Sequence, residues 1–101
     1  MKDKLIAYLG FANKSGSIIY GVDNIEAKAS KVKIVIYDDR LSDNSLNKLN
    51  NIVKRYNILV YNSNHSIDEL LGKNNCKAVG ITSNDLARAI KDLNYLKEVR
   101  N

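Results

Sequence analysis

The chain has 101 residues and a formal net charge of +5, and 45% of its residues are hydrophobic and 27% charged. This length and composition are typical of one ordinary globular domain, which we assign to residues 1–101. A transmembrane helix is excluded, because it needs a run of about 18 apolar residues, and the single Cys76 excludes an internal disulfide. The first residues lack the apolar segment of a signal peptide, so we expect a cytoplasmic protein without a membrane partner.

Hydrophobic periodicity and turn residues divide the chain into alternating helices and strands. In chain order these are helix 3–14, strand 18–20, helix 22–30, strand 32–37, a helix that Ser42 or Asp43 caps, strand 58–61, a short helix between Ser66 and Gly72, strand 78–82 and a final helix that Ser83 caps. Gly16 ends the first helix. Ser66 and Glu69 fit a capping box.

The alternation of helices and strands predicts an α/β fold, a three-layer α/β/α sandwich with a four-stranded mixed sheet. Crossover helices separate the last three strands, which are therefore expected to run parallel. The first strand follows a helix, and we expect it to be antiparallel at an edge of the sheet.

Residues with catalytic or metal-binding chemistry do not form a recognisable set. His65 lies in a turn-rich loop without an obvious partner, and Cys76 is interpreted as a small, partly buried thiol. Asp38 and Asp39 lie at the end of a strand, as acidic residues do in phosphoacceptor domains. Such domains also carry a lysine at the end of a fifth strand, and this sequence has none. We therefore interpret the two aspartates as an acidic turn before the next helix. No dinucleotide or phosphate-loop fingerprint is present. We therefore predict no enzymatic activity, metal, cofactor or small-molecule substrate.

The positive charge favours contact with nucleic acid, although solubility alone also explains it. The charges are spread along the chain, because residues 1–50 carry 8 basic against 6 acidic residues and residues 51–101 carry 8 against 5. A nucleic-acid site would therefore have to be assembled by folding.

Segment 13–33 is the most informative part of the sequence. Gly21 ends a short strand and allows a ligand to approach the backbone closely, and the N–H groups of the helical turn that follows suit a phosphate. Asp23 and Asn24 can hydrogen-bond base edges. The surrounding lysines, which can neutralise phosphates, are Lys14, Lys28, Lys31 and Lys33. The alternative is an ordinary strand-to-helix turn with solvated lysines.

The order and spacing of these motifs resemble the ribosomal protein seven-Ae/thirty-e superfamily of RNA-binding proteins, and within it the short bacterial YlxQ-type branch. The resemblance covers nearly the whole chain. The segments that carry it are 9–16, 18–21, 29–39, 56–61, 69–73 and 78–82.

The resemblance implies a non-catalytic domain that binds kink-turn or ribosomal RNA, with the ribosome as a candidate partner. It implies RNA contacts at Gly21, Asp23 and Asn24, and at the loop before the last strand. The basic residues of that loop are Lys73 and Lys77.

The sequence departs from the archetypal members of this superfamily at one position. They carry a lysine six residues after the glycine, where this chain has Ala27. Lys28 follows one residue later, about 100° further around the helix. The alternative function is a ligand- or protein-binding module of the same fold that has lost RNA affinity.

Overall fold

Five helices and a five-stranded sheet make up the computed structural model, which describes residues 2–63, 66–72, 76–93 and 97–98. The helices are α1 (Lys2–Ser15), α2 (Val22–Ala27), α3 (Asp43–Tyr56), α4 (Ile67–Leu71) and α5 (Asn84–Lys91), with a short 3-10 turn at Ala29–Lys31. The strands are β1 (Ile18–Tyr20), β2 (Ile34–Asp38), β3 (Leu59–Ser63), β4 (Ala78–Ile81) and β5 (Lys97–Glu98). The predicted alternating order is confirmed, and β5 lies where no strand is predicted.

The strands form one mixed sheet in the order β1-β4-β2-β3-β5. β1 lies at an edge and pairs with β4 in the antiparallel sense, as predicted, and β2 and β3 run parallel. The prediction that β4 runs parallel to β2 and β3 is wrong, because β4 is antiparallel to β2. The start of α4 and Cys76, shortly before β4, are both held at the carboxyl end of β2, by hydrogen bonds to Asp38 and from Arg40 respectively. β4 therefore begins at the end of the sheet where β3 finishes.

Alternate side chains of β2 pack on opposite faces of the sheet. Ile34 and Ile36 belong to a core that α1, α4 and α5 cover, whereas Val35 and Tyr37 belong to a core that α2 and α3 cover. The helical residues buried in the first core include Leu5, Leu9, Ile67, Leu70 and Ile90, and those in the second include Ile25, Leu49, Ile52 and Val53. These two cores confirm the predicted three-layer α/β/α sandwich.

Polar capping residues set several helix boundaries. The hydroxyl of Ser42 accepts a hydrogen bond from the N–H of Ser45 at the start of α3 (3.2 Å). The hydroxyl of Ser83 accepts one from the N–H of Leu86 at the start of α5 (3.3 Å). Gly16 ends α1 with a φ of 71°, a conformation that glycine adopts without a steric penalty. These three predicted boundaries agree with the structure.

The start of α4 differs from the predicted capping box. Ser66 occupies the N-cap position, but its side chain makes no capping hydrogen bond. The carboxylate of Asp38, at the end of β2, instead accepts a hydrogen bond from the N–H of Ile67 (2.9 Å). A residue that is distant in the sequence therefore satisfies the first N–H group of α4, and the Ser66 side chain makes none of the bonds of the predicted capping box.

Asp38 is the centre of a buried hydrogen-bond network. Its side chain is almost fully buried and accepts from the backbone N–H of Arg40 (2.9 Å) and from the Arg40 guanidinium (2.8 Å). Arg40 also donates to Asp68 in α4 (3.0 Å), and Asp68 accepts from the N–H of Cys76. The network joins the end of β2 to α4 and to the chain that leads into β4.

The network lowers the pKa of the Asp38 carboxyl below its usual value. Burial raises this pKa, but the hydrogen bonds from the guanidinium of Arg40 and from the N–H groups of Ile67 and Arg40 lower it by more. Hydrogen bonds to Asp38 and Asp68 raise the pKa of Arg40 above its usual value. Both groups are therefore charged at neutral pH.

We expect Asp38→Ala to lower the free energy of unfolding by about 1–3 kcal/mol, because it leaves the buried N–H of Ile67 without its acceptor. The control is Asp39→Ala, whose exposed carboxylate accepts one hydrogen bond from Asn62 and whose loss should change stability by less than about 0.5 kcal/mol. Urea unfolding at neutral pH measures both. Equal effects of the two substitutions would contradict the role of Asp38.

The same carboxylate predicts a loss of stability in acid. Because the pKa of Asp38 is lower in the folded chain, its contribution is fully present above the unfolded value of about 3.9 and is lost as the pH falls through the folded value. The difference in unfolding free energy between wild type and Asp38→Ala should therefore shrink as the pH falls below about 3.9. Urea unfolding across this range tests it, and a constant difference would oppose the prediction.

Candidate functional site

A cavity of about 220 Å³ lies at the end of the sheet where β1 finishes and β4 begins. Three of the predicted site residues, Gly21, Asp23 and Lys77, line it together. The other lining residues are Val22, Leu41, Ser45, Lys48 and Ala78. Folding therefore brings the turn after β1, one side of α3 and the residue before β4 to one place.

The backbone of Gly21 adopts an unusual conformation with a positive φ. Its φ of 86° and ψ of 151° lie in a region that only glycine occupies readily. Its N–H donates to the carbonyl of Ala78 (3.0 Å), which ties the turn to the start of β4. A Cβ atom here would meet nothing within 4 Å, so the backbone angles and not crowding demand glycine. The same open space leaves the backbone accessible to a ligand.

Asp23 forms an ion pair across the cavity. The ammonium of Lys48, on α3, contacts the carboxylate of Asp23 and also lies 3.3 Å from that of Glu26. These hydrogen bonds raise the pKa of Lys48 above its usual value. The side chain of Asp23 does not cap α2. Two carboxylates and the ammonium of Lys48 thus face one another, and Lys77 adds a second, half-buried cation nearby.

Asn24 is exposed, and its side chain is anchored to β1. Its Nδ2 atom donates to the carbonyl of Tyr20 (2.8 Å), and the hydroxyl of Tyr20 donates to Oδ1 of Asn13 on α1 (2.7 Å). These bonds orient the carboxamide of Asn24 beside the turn at Gly21. An amide oxygen held in this way can accept a hydrogen bond from a ligand.

The predicted lysines do not all surround Gly21. Lys33 donates its N–H to the carbonyl of Ile81 (2.8 Å), whereas Gly21 bonds to Ala78 at the other end of β4. Lys14 shortly precedes Ser17, which pairs with Thr82 at the same end as Lys33. Four residues of strand separate these two ends by about 13 Å. Lys14 and Lys33, two of the predicted RNA-binding lysines, therefore lie at the opposite end of β4 from Gly21.

The remaining predicted basic residues differ in position. Lys28 is exposed at the end of α2, and Lys31 is exposed in the 3-10 turn that leads away from the cavity towards Lys33. Lys73 lies outside the described residues, as does His65. Lys77 is thus the predicted cation that shares the cavity with Gly21.

Lys48 is the site residue that sequence reasoning missed. It precedes the buried Leu49 on α3, at the border of the apolar face of that helix. Its partners Asp23 and Glu26 lie on α2, and nothing in the local pattern shows that α2 and α3 pack side by side. The only available signal was that Asp23 and Glu26 carry like charges three positions apart, which favours a cation between them.

The described part of the chain contains no group of three or more His, Cys, Asp or Glu side chains arranged to hold a metal ion. Cys76 is a buried free cysteine, and its sulfur lies 3.7 Å from the carbonyl oxygen of Ala78. Among the described residues, no helix is long and apolar enough to cross a membrane.

Comparison with known proteins supports the fold. No family model and no curated protein matches the chain. A solved structure, described as that of a protein with unknown function from Bacillus halodurans C, superposes with a TM-score of 0.76 at 18% sequence identity. The match covers 85% of this chain and 91% of that chain. At this identity the likeness shows that the two proteins share an α/β sandwich fold.

The backbone of Gly21 yields a stability prediction with an internal control. Gly21→Ala should lower the free energy of unfolding by about 1–3 kcal/mol, because alanine is strained at this φ and ψ. Gly10→Ala makes the same change in the exposed interior of α1, where it should stabilise the protein by about 0.5–1 kcal/mol. Thermal or urea unfolding measures both, and effects of the same sign would show that the conformation of Gly21 carries no special constraint.

Proposed function

We propose that this protein binds structured RNA without catalysis, and that the RNA contacts the cavity beside Gly21. One observation carries the proposal: Gly21 and Asp23 line the same cavity as Lys77, although the two segments are far apart in the sequence. These are the segments that the resemblance to the seven-Ae/thirty-e superfamily implies as RNA contacts. The RNA class proposed on that basis is a kink-turn or a related element of ribosomal RNA, and a cytoplasmic location goes with it.

The geometry of the turn suits a nucleic-acid backbone. The space beside Gly21 is open, so a sugar or phosphate can approach the peptide without meeting a side chain. Lys77 supplies a positive charge at the edge of this space, and Lys28 is exposed further along α2. The net charge of +5 adds long-range attraction for a polyanion. Phosphate contacts of this kind provide affinity and orientation but no sequence information.

The polar side chains of the first turn of α2 supply the selectivity in this proposal. The anchored carboxamide of Asn24 offers an acceptor, and the carboxylate of Asp23 can accept from an exocyclic amino group of a base. Lys48 neutralises much of the charge of Asp23 and so limits its repulsion of nearby phosphates. The carboxylate can therefore lie close to RNA at a lower electrostatic cost than a free one.

Asn24→Ala should reduce the preference for a kink-turn over a plain duplex by about 1–3 kcal/mol, the range for one good base-edge contact. The matched control is Asn51→Ala, another exposed helical asparagine, which lies on α3 outside the cavity and should leave the preference unchanged. Fluorescence anisotropy with the two RNAs measures both affinities. Circular dichroism checks that the fold survives the loss of the bond to Tyr20.

A second variant separates affinity from selectivity. Lys77→Ala should weaken binding to both RNAs by a similar factor and should flatten the salt dependence, because it removes a phosphate contact. If Asn24→Ala and Lys77→Ala both bind as wild type at low salt, the cavity is not an RNA site. A protein- or ligand-binding module of the same fold would then be the better interpretation.

A further inference from the structure

A groove of about 420 Å³ lies at the opposite end of the sheet from Gly21, beside the start of β3 and one side of α5. Three cations line it: Lys33 ahead of β2, and Arg88 and Lys91 on α5. The other lining residues are Asn57, Leu59, Asn84 and Ala87. We infer that this groove binds the phosphodiester backbone of single-stranded RNA.

The charges of the groove are unopposed, which distinguishes it from the cavity beside Gly21. No acidic side chain lines the groove. Lys33, Arg88 and Lys91 are all exposed, and none of them takes part in an ion pair with any residue that the structure describes. The acidic residues nearest in sequence to Arg88 and Lys91 are Asp85 on α5 and Asp92 just after it, and neither forms an ion pair with these cations. Cations without protein partners can each neutralise a phosphate and so release counterions that are condensed on the nucleic acid, which is the main source of affinity for its backbone.

The chemistry of the lining favours a phosphate backbone over other ligands. Arg88 presents a planar guanidinium that can donate two parallel hydrogen bonds to one phosphate. Asn57 and Asn84 add amide groups to the lining, and its apolar residues are Leu59 and Ala87. No aromatic side chain lines the groove, so base stacking cannot contribute. Binding should therefore be independent of sequence and strongly dependent on salt.

Folding assembles this groove from segments that are far apart in the sequence. Lys33 is fixed by its backbone hydrogen bond to Ile81, and Asn57 ends α3 in a left-handed conformation with a φ of 54°. The groove is separated from the cavity by the length of the strands. The inference therefore does not rest on the function proposed for Gly21 and Lys77, and either can fail alone.

The test uses Arg88→Ala combined with Lys91→Ala, and a short fluorescent oligouridine that cannot form a kink-turn. The matched control combines Lys4→Ala with Lys54→Ala, which removes two exposed positive charges outside the groove and lowers the net charge equally. Anisotropy titrations over a range of salt concentrations give the affinity and its salt slope. Thermal unfolding confirms that both variants are folded.

We expect the groove variant to lose severalfold in affinity at low salt and to reduce the slope of log K against log salt by about 1.4, since each phosphate contact to a single strand contributes about 0.7. The control should keep the wild-type slope. Lys33→Ala alone should reduce the slope by about 0.7. Equal slopes for the groove variant and the control would overturn the inference.

Two further experiments identify the ligand of the groove and distinguish this inference from the proposed function. Inorganic tripolyphosphate tests a free polyphosphate as the ligand. If it displaces oligouridine at equal phosphate concentration, the groove binds small phosphates and the RNA assignment is wrong; weak competition supports the assignment.

Kink-turn titrations with Lys77→Ala report on the cavity alone. A groove effect without an effect of either Asn24→Ala or Lys77→Ala leaves this inference standing and removes the proposed function, and the converse result does the opposite.

Discussion

The hydrogen bonds around the buried carboxylate of Asp38 hold the end of β2, the start of α4 and the approach to β4 in one arrangement. The N–H of Asp38 donates to the carbonyl of Lys77 (3.0 Å), and Arg40 reaches the carbonyl of Cys76 (3.4 Å). Because Lys77 also lines the cavity beside Gly21, its position depends on this network. Asp38 does not line the cavity itself. It acts on the candidate site through the backbone that it holds.

The direction of β4 decides which residues share an end of the sheet. In a sheet with β2 and β4 parallel, the residue before β4 would lie beside the residue before β2, which would unite Lys77 with Lys33. In the observed antiparallel pairing, Tyr37 lies opposite Ala78 and Ile34 opposite Ile81. Lys77 is therefore brought to Gly21, and Lys33 is left at the far end with α5. The separation of Lys77 from Lys33 is a consequence of this antiparallel pairing.

The features that could be predicted from the sequence are those that local physics determines. Apolar periodicity located the helices and main strands, and the caps at Ser42 and Ser83 and the glycine at position 21 follow from short-range geometry. The direction of β4, the hydrogen bond from the N–H of Ile67 to Asp38 and the pairing of Lys48 depend instead on contacts between distant segments. No local pattern contains that information, which is why two of the predicted RNA-binding lysines, Lys33 and Lys77, lie at opposite ends of the sheet.

The two ends of the sheet differ in how their cations are used. At the cavity, Asp23 and Glu26 already hold Lys48, so that lysine is less available to neutralise a phosphate and to displace the counterions condensed on a nucleic acid. At the groove, Arg88 and Lys91 have no ion-pair partner within the described chain and retain that capacity. A net charge of +5 describes neither end, because it averages over both. Under the two proposals, the cavity would recognise shape and polar edges with Lys77 as a phosphate contact, and the groove would add electrostatic affinity that does not depend on sequence.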